Sequence, residues 1–258
     1  MSRSQTLVQL DDVPWQAGER VWGDTPGLDV PGGVRVKLLS EDPKTSARTT
    51  ILDAPAGWTT PAPEYHSVAQ EGLVFGGRET KGPIELVPLT YYYYPPGTVH
   101  GPTNSDGHTA IIMLHGPFDV TYVEDTDEPR PEGAQLGINL DTIPWRPSSE
   151  VWGTAGFDVP SGVMVKVLRD DPVTGAKSVL MKVPPGWGTK APEYHNSLQE
   201  ELLLEGEITF AGQTFHAPAY FCFPPGGVHG PAHTESGLTM FCTFDGPVDV
   251  VYPDSAAS

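Results

Sequence analysis

The sequence predicts an all-β protein built as two tandem β-barrels related by internal duplication. Three observations lead there. Segments of the first half return in the second, in order, at an offset of about 130 residues. The apolar runs are short and bounded by Gly, Pro or Asp, and no helical periodicity lasts beyond two turns. The 29 Gly and 28 Pro are spread along the chain instead of pooling in one tract, as many short strands joined by turns require.

The repeats set the organisation. "LDDVPW" at Leu10 returns as "LDTIPW" at Leu140, and "VWGDTPGLDVPGGVRVKLL" at Val21 as "VWGTAGFDVPSGVMVKVL" at Val151. "APAGWTTPAPEYH" returns as "VPPGWGTKAPEYH", "YYYYPPGTVHGP" as "YFCFPPGGVHGP", and "LHGPFDVTYVE" as "FDGPVDVVYPD". Solenoid repeats are shorter, about 20–50 residues, so the unit is a duplicated domain. The expected boundaries are residues 1–130 and 131–258, with the acidic, Pro-rich stretch from Glu124 as linker.

Each copy reads as strands. "VRVKLL" and "VMVKVL" alternate β-branched and polar residues, and "TTILDAP", "GLVFGG", "EITFAG", "TYYYYPP", "TAIIMLHG" and "LTMFCTF" are bounded apolar runs. Trp58 and Trp187 follow turns and are expected to pack at the barrel rims. In a strand, Tyr91 and Tyr93 face one side and Tyr92 and Tyr94 the other, so one pair is expected to reach a pocket or an interface. If this Tyr-rich strand lies at a sheet edge, it offers a surface for a homo-oligomer.

Composition excludes several functions. The formal net charge is −18, from 33 acidic and 15 basic residues, which opposes binding to nucleic acid or an anionic membrane. No apolar run approaches the roughly 20 residues of a membrane span. The N-terminus lacks the apolar core of a signal peptide, so a cytoplasmic location is expected. Cys222 and Cys242 are expected to be buried thiols. There is no Gly-x-Ser-x-Gly elbow, Gly-rich phosphate loop or Cys-x-x-Cys pair.

Polar residues inside strand-like segments carry the chemistry. Glu64 and His66 share a face, and Gln70 joins them if the strand continues or crosses a single turn. His100 follows a Pro-Gly turn that folds the chain back towards them. The second copy supplies Glu193, His195, Gln199 and His229. Two imidazoles and a carboxylate form the 2-His-1-carboxylate set of non-haem Fe(II) oxygenases, with Gln as a weak fourth ligand. The same donors accept Mn, Ni, Co or Zn. Asn104 and His233, four residues beyond each turn His, are read as supporting those His or lining the mouth.

These residues resemble the two motifs of the cupin superfamily. Pro95-x-Gly97-x-x-His100-x3-Asn104 matches the second motif fully, and Pro224-x-Gly226-x-x-His229-x3-His233 differs at its last position. Glu64-x-His66-x3-Gln70-x6-Gly77 and Glu193-x-His195-x3-Gln199-x6-Gly206 resemble the first motif, with Glu for its first His and Gln for its Glu. A slide of one residue would use Glu71 and Glu200 instead; the spacing to Gly77 and Gly206 favours Gln. The resemblance covers both halves and implies a bicupin of two jelly-roll barrels, each with a buried divalent metal.

Three functions follow as expectations. The first is an Fe(II) dioxygenase acting on a small phenolic or β-dicarbonyl substrate, the activity of cupin relatives with such sites. The second is a non-redox isomerase, lyase or decarboxylase using the metal as Lewis acid, with an unligated Glu64 or Glu193 as catalytic general base. The third is a non-catalytic bicupin that binds a small molecule.

Overall fold

The computed structural model describes residues 3–124, 131–152 and 162–253, except 24, 26 and 29–31. Part of the expected linker, at 125–130, and part of the second-copy repeat, at 153–161, lie outside the described residues. The chain forms two compact units, Met1–Arg3 with Val13–Thr142, and Ser4–Asp12 with Ile143–Ser258.

In the first unit the sheet runs in the order Gln135–Asn139, Thr90–Tyr94, Gln70–Lys81, Thr103–Leu114, Arg48–Thr59, Arg35–Glu41 and Gln16–Ala17. In the second the order is Thr6–Gln9, Ala219–Phe223, Gln199–Phe210, Leu238–Phe244, Lys177–Val183, Met164–Asp170 and Arg146–Pro147. The pairings within these sheets are antiparallel. The all-β expectation of two jelly-roll units therefore holds. Helix is confined among the described residues to single turns, including Gly18–Trp22 and Ser148–Trp152. None is long and apolar enough to cross a membrane.

The compact units do not coincide with the 1–130 and 131–258 repeats. Thr6–Gln9 belongs to the first repeat yet pairs with Ala219–Phe223 of the second unit, Leu7 opposite Phe221. Gln135–Asn139 belongs to the second repeat yet pairs with Thr90–Tyr94, Ile138 opposite Tyr91. The residues after position 130 up to Thr142 thus pack with the first unit. This exchange also corrects the expected place of the Tyr-rich strand. Gln135–Asn139 covers it, so it is not an edge strand and offers no free backbone for an oligomer contact.

Each unit encloses an apolar core. Val36, Leu52, Val74, Tyr92 and Ile112 belong to the first, and Val179, Leu203, Phe210, Phe221 and Met240 to the second. Trp58 and Trp187 pack partly buried against these cores. Cys222 and Cys242 are both buried free thiols.

Candidate metal centres

Each centre is assembled by a turn and a two-residue backbone clasp. In the first unit Glu64 N–H donates to the His100 carbonyl at 2.8 Å, and His100 N–H donates back to Glu64 at 2.9 Å. Gly97, at φ +80°, takes the left-handed conformation that closes the turn, and its N–H donates to the His66 carbonyl at 2.9 Å. A side chain there would be strained, which explains Gly in both copies, Gly226 having φ +77°. The second unit repeats the clasp between Glu193 and His229. The chain bends after His66, and Gln70 then opens the long strand Gln70–Lys81, its side chain within hydrogen-bond reach of His66.

Ligand atoms of Glu64, His66 and His100 lie within 4.8 Å of one another, as do those of Glu193, His195 and His229. All four imidazoles are oriented alike. His66 Nδ1 bonds the Asp119 carbonyl at 2.7 Å, His100 Nδ1 the Thr98 carbonyl at 3.0 Å, and His229 Nδ1 the Gly227 carbonyl at 3.0 Å. His195 Nδ1 bonds the Asp249 carbonyl. A carbonyl only accepts, so Nδ1 carries the proton in each ring and Nε2 keeps its lone pair for the centre. Aromatic rings fix the turn histidines: Tyr94 stacks on His100 at 4.4 Å and Phe223 on His229 at 4.1 Å.

Burial sets the protonation of these groups. It pushes Glu64 up to about 7, an effect partly offset by the positive charge of Lys81, and it pushes Glu193 up to about 7. It lowers His66 and His229 to about 4, and it also lowers His100 and His195. The imidazoles are therefore neutral near pH 7, as ligation requires. Glu64 Oε1 lies 3.8 Å from His100 Nε2, and Glu193 Oε1 lies 4.0 Å from His229 Nε2. These gaps are too long for hydrogen bonds. Buried polar atoms are nearly always partnered, yet Glu64 Oε2, Gln70 Oε1, His100 Nε2 and Gln199 Oε1 have no hydrogen-bond partner. A divalent cation is the group that satisfies a carboxylate, an amide oxygen and two imidazole nitrogens together, so the donor set fits one.

Glu71 and Glu200 lie on the opposite strand face. Glu71 accepts the Tyr91 hydroxyl at 2.7 Å, and Glu200 accepts that of Tyr220. Asn104 pairs with Thr59 at 3.0 Å; His233 bonds the Trp187 carbonyl at 3.1 Å and Glu235 at 2.8 Å. These bonds hold strand ends together and do not reach His100 or His229, whose Nδ1 atoms are held by backbone carbonyls.

The cavities beside the two centres differ. That of the second unit is about 370 Å³ and is walled by Trp187, Ile208, Phe210, Leu238, Met240 and Phe244. That of the first is about 80 Å³. Where the second has Ile208, Phe210 and Leu238, the first has Glu79, Lys81 and His108 at the equivalent register positions. Glu79 and His108 meet at 3.2 Å. The second wall has one acid that sequence reasoning missed. Glu201 lines the cavity, accepts Gln199 Nε2–H at 2.8 Å, and lies 3.8 Å from Cys242 Sγ. Burial pushes its carboxyl up to about 7, partly offset by the Gln199 hydrogen bond. Its signal was available, since Gln199 and Glu201 are two apart on one strand.

A profile described as ChrR Cupin-like domain matches residues 3–119 and again 134–249. No curated relative matches. Among solved structures, a candidate dioxygenase from Nostoc punctiforme is similar, with 17% identity, TM-score 0.81, and coverage of 98% of this chain and 91% of that one. Salicylate 1,2-dioxygenase from Pseudaminobacter salicylatoxidans shares 14% identity, TM-score 0.62, over 95% and 85% of the two chains. Oxalate decarboxylase from Lactobacillus farciminis shares 11% identity, TM-score 0.59, over 96% and 88%. At these identities the likeness is one of fold.

Proposed function

Because the chain belongs to the ChrR Cupin-like domain family, with one copy of the domain in each half, we propose that it is a metal-dependent dioxygenase. Its active site is the cavity of the second unit, and its substrate is a small phenolic or β-dicarbonyl compound. The observation that carries this reading is a cavity of about 370 Å³ with a largely apolar wall, opening on a 2-His-1-carboxylate set.

His195 and His229 would hold the ion through Nε2, Glu193 through its carboxylate and Gln199 through Oε1. Fe(II) is the favoured ion, and when bound it supplies Lewis acidity and an electron source for O2 chemistry. The chain's own residues do the rest. Phe210, Leu238 and Met240 exclude water and present an apolar face to an aromatic ring or a diketone skeleton. Glu201 takes the proton that a β-dicarbonyl or phenol gives up on becoming an anion, since its pKa near 7 leaves much of it ionised at neutral pH. Gln199, held by Glu201, keeps its carbonyl oxygen turned to the centre.

A Lewis-acid isomerase, lyase or decarboxylase is the second reading. Glu201 favours it too, because the same buried acid can return its proton to a neighbouring carbon. Oxygen uptake separates the two. Fe(II)-loaded protein is assayed in an oxygen electrode against small β-dicarbonyls and phenols, beside Zn(II)-loaded protein without oxygen. Uptake matching substrate loss supports the dioxygenase. Full-rate anaerobic turnover by the Zn(II) form replaces it with the Lewis-acid enzyme. No turnover in either form leaves a binding protein.

A further inference from the structure

We propose that the cavity of the first unit is a separate binding site for a small carboxylate, with Lys81 supplying the positive charge and Tyr92 a hydrogen bond. The inference stands on the first unit alone and does not depend on which reaction the second unit catalyses.

Lys81 is only 8% exposed and lines the cavity with Glu64, His66 and Gln70. Its ammonium makes no ion pair or hydrogen bond among the described residues. It rests over aromatic faces, 5.1 Å from the Tyr92 ring and 5.6 Å from that of Tyr94. Such contacts compensate a buried cation only in part, and an ammonium removed from water without a counter-ion is costly. The nearest acid on the same strand, Glu79, is engaged by His108 at 3.2 Å. Tyr92 is also fully buried on this wall, and its hydroxyl has no partner. Two unpartnered donors, one charged, thus converge on one cavity.

The second unit shows that the fold does not require this. The equivalents of Lys81 and Tyr92 are Phe210 and Phe221, and both sit in an apolar core cluster. The charge at position 81 is therefore particular to this cavity. Tyr92 reaches it because Gly72 leaves room: a Cβ there would lie 2.3 Å from the Tyr92 hydroxyl. The register position of Gly72 in the second unit holds Glu201.

Charge and size define the ligand. With a divalent ion on Glu64, His66 and His100, two acids, Glu64 and Glu79, face that ion and one ammonium, which leaves a single positive charge for a monoanion to neutralise. The cavity of about 80 Å³ has room for roughly five water-sized groups, so the ligand has about four to six non-hydrogen atoms. A flat carboxylate of this size can place one oxygen towards the ion and the other towards Lys81 and Tyr92.

Isothermal titration of the full chain, loaded with Zn(II) and held at constant ionic strength, tests this with acetate as ligand and acetamide as its neutral isostere. The wild-type chain is expected to bind acetate and not acetamide at this site. Lys81→Met is expected to bind one acetate fewer, or to weaken one site at least about tenfold. Lys81→Arg is expected to retain binding within about threefold, and Tyr92→Phe to weaken it about three- to tenfold. Lys81→Met removes a buried ammonium that no ion pair or hydrogen bond holds among the described residues, so its thermal midpoint is expected to hold or rise. Acetate isotherms identical in wild type and Lys81→Met, equal binding of acetamide, or no acetate binding would each overturn the proposal.

Discussion

Gln199 stands between an acid and a metal centre: its amide group donates to Glu201 and its carbonyl oxygen is left for the ion. Glu201→Leu removes the acceptor and the proton carrier together, yet leaves both imidazoles and Glu193 in place. Metal content of the second unit is expected to persist while kcat falls about a hundredfold or more, as read by elemental analysis beside steady-state rates. Glu193 gives a second expectation. Burial raises its pKa to about 7, whereas His229 is lowered to about 4. Below pH 7 the ion therefore competes with the proton on the Glu193 carboxyl, while His229 stays neutral down to about pH 4. Metal affinity of the second unit should rise about tenfold per pH unit up to 7 and level off above it. Glu193→Gln should bind more weakly and lose that slope, which competition with a chromogenic chelator would measure. At this scale the Glu-x-His and Pro-x-Gly-x-x-His patterns were legible, because polar residues at strand positions conflict with the apolar core around them. Lys81 and Tyr92 were not legible as a pair. Their meeting depends on two strands in register and on Gly72 leaving space between them.

One outermost strand of each sheet is contributed by the other sequence repeat. Leu10 is 4% exposed, its N–H donates to the Pro218 carbonyl at 3.1 Å, and Leu7 packs against the second core. Deleting residues 1–12 is therefore expected to destabilise the second unit, although the segment lies in the first repeat. Loss of two largely buried leucines alone amounts to about 3–5 kcal/mol. Thermal unfolding followed by metal release from each unit would show it, and release from the second unit should come first. The strands themselves were legible, from "LTMFCTF" as Leu238–Phe244 to "TYYYYPP" around Thr90–Tyr94. Their exchange was not. Period-2 patterning says which face of a strand is buried, but not which sheet edge its backbone will join.

The whole molecule carries two candidate centres of one design, in cavities that differ in size and in a few charged wall positions. Two equivalents of divalent metal per chain are expected. His100→Ala and His229→Ala should each remove one equivalent, but only His229→Ala should abolish turnover, with His100→Ala retaining at least about half. Comparable losses in both would place chemistry in both units and refute the assignment to the second. Duplication was legible in the ordered repeats, while the divergence of the cavities lies in a few wall positions that the repeats align but do not interpret. A protease cut between residues 124 and 131 would yield two fragments, and each would still hold a strand that the other fragment's sheet is built upon. The nicked protein should elute as a single species until denatured. Two halves expressed from separate genes, divided at this point, should find each other and reconstitute both metal centres.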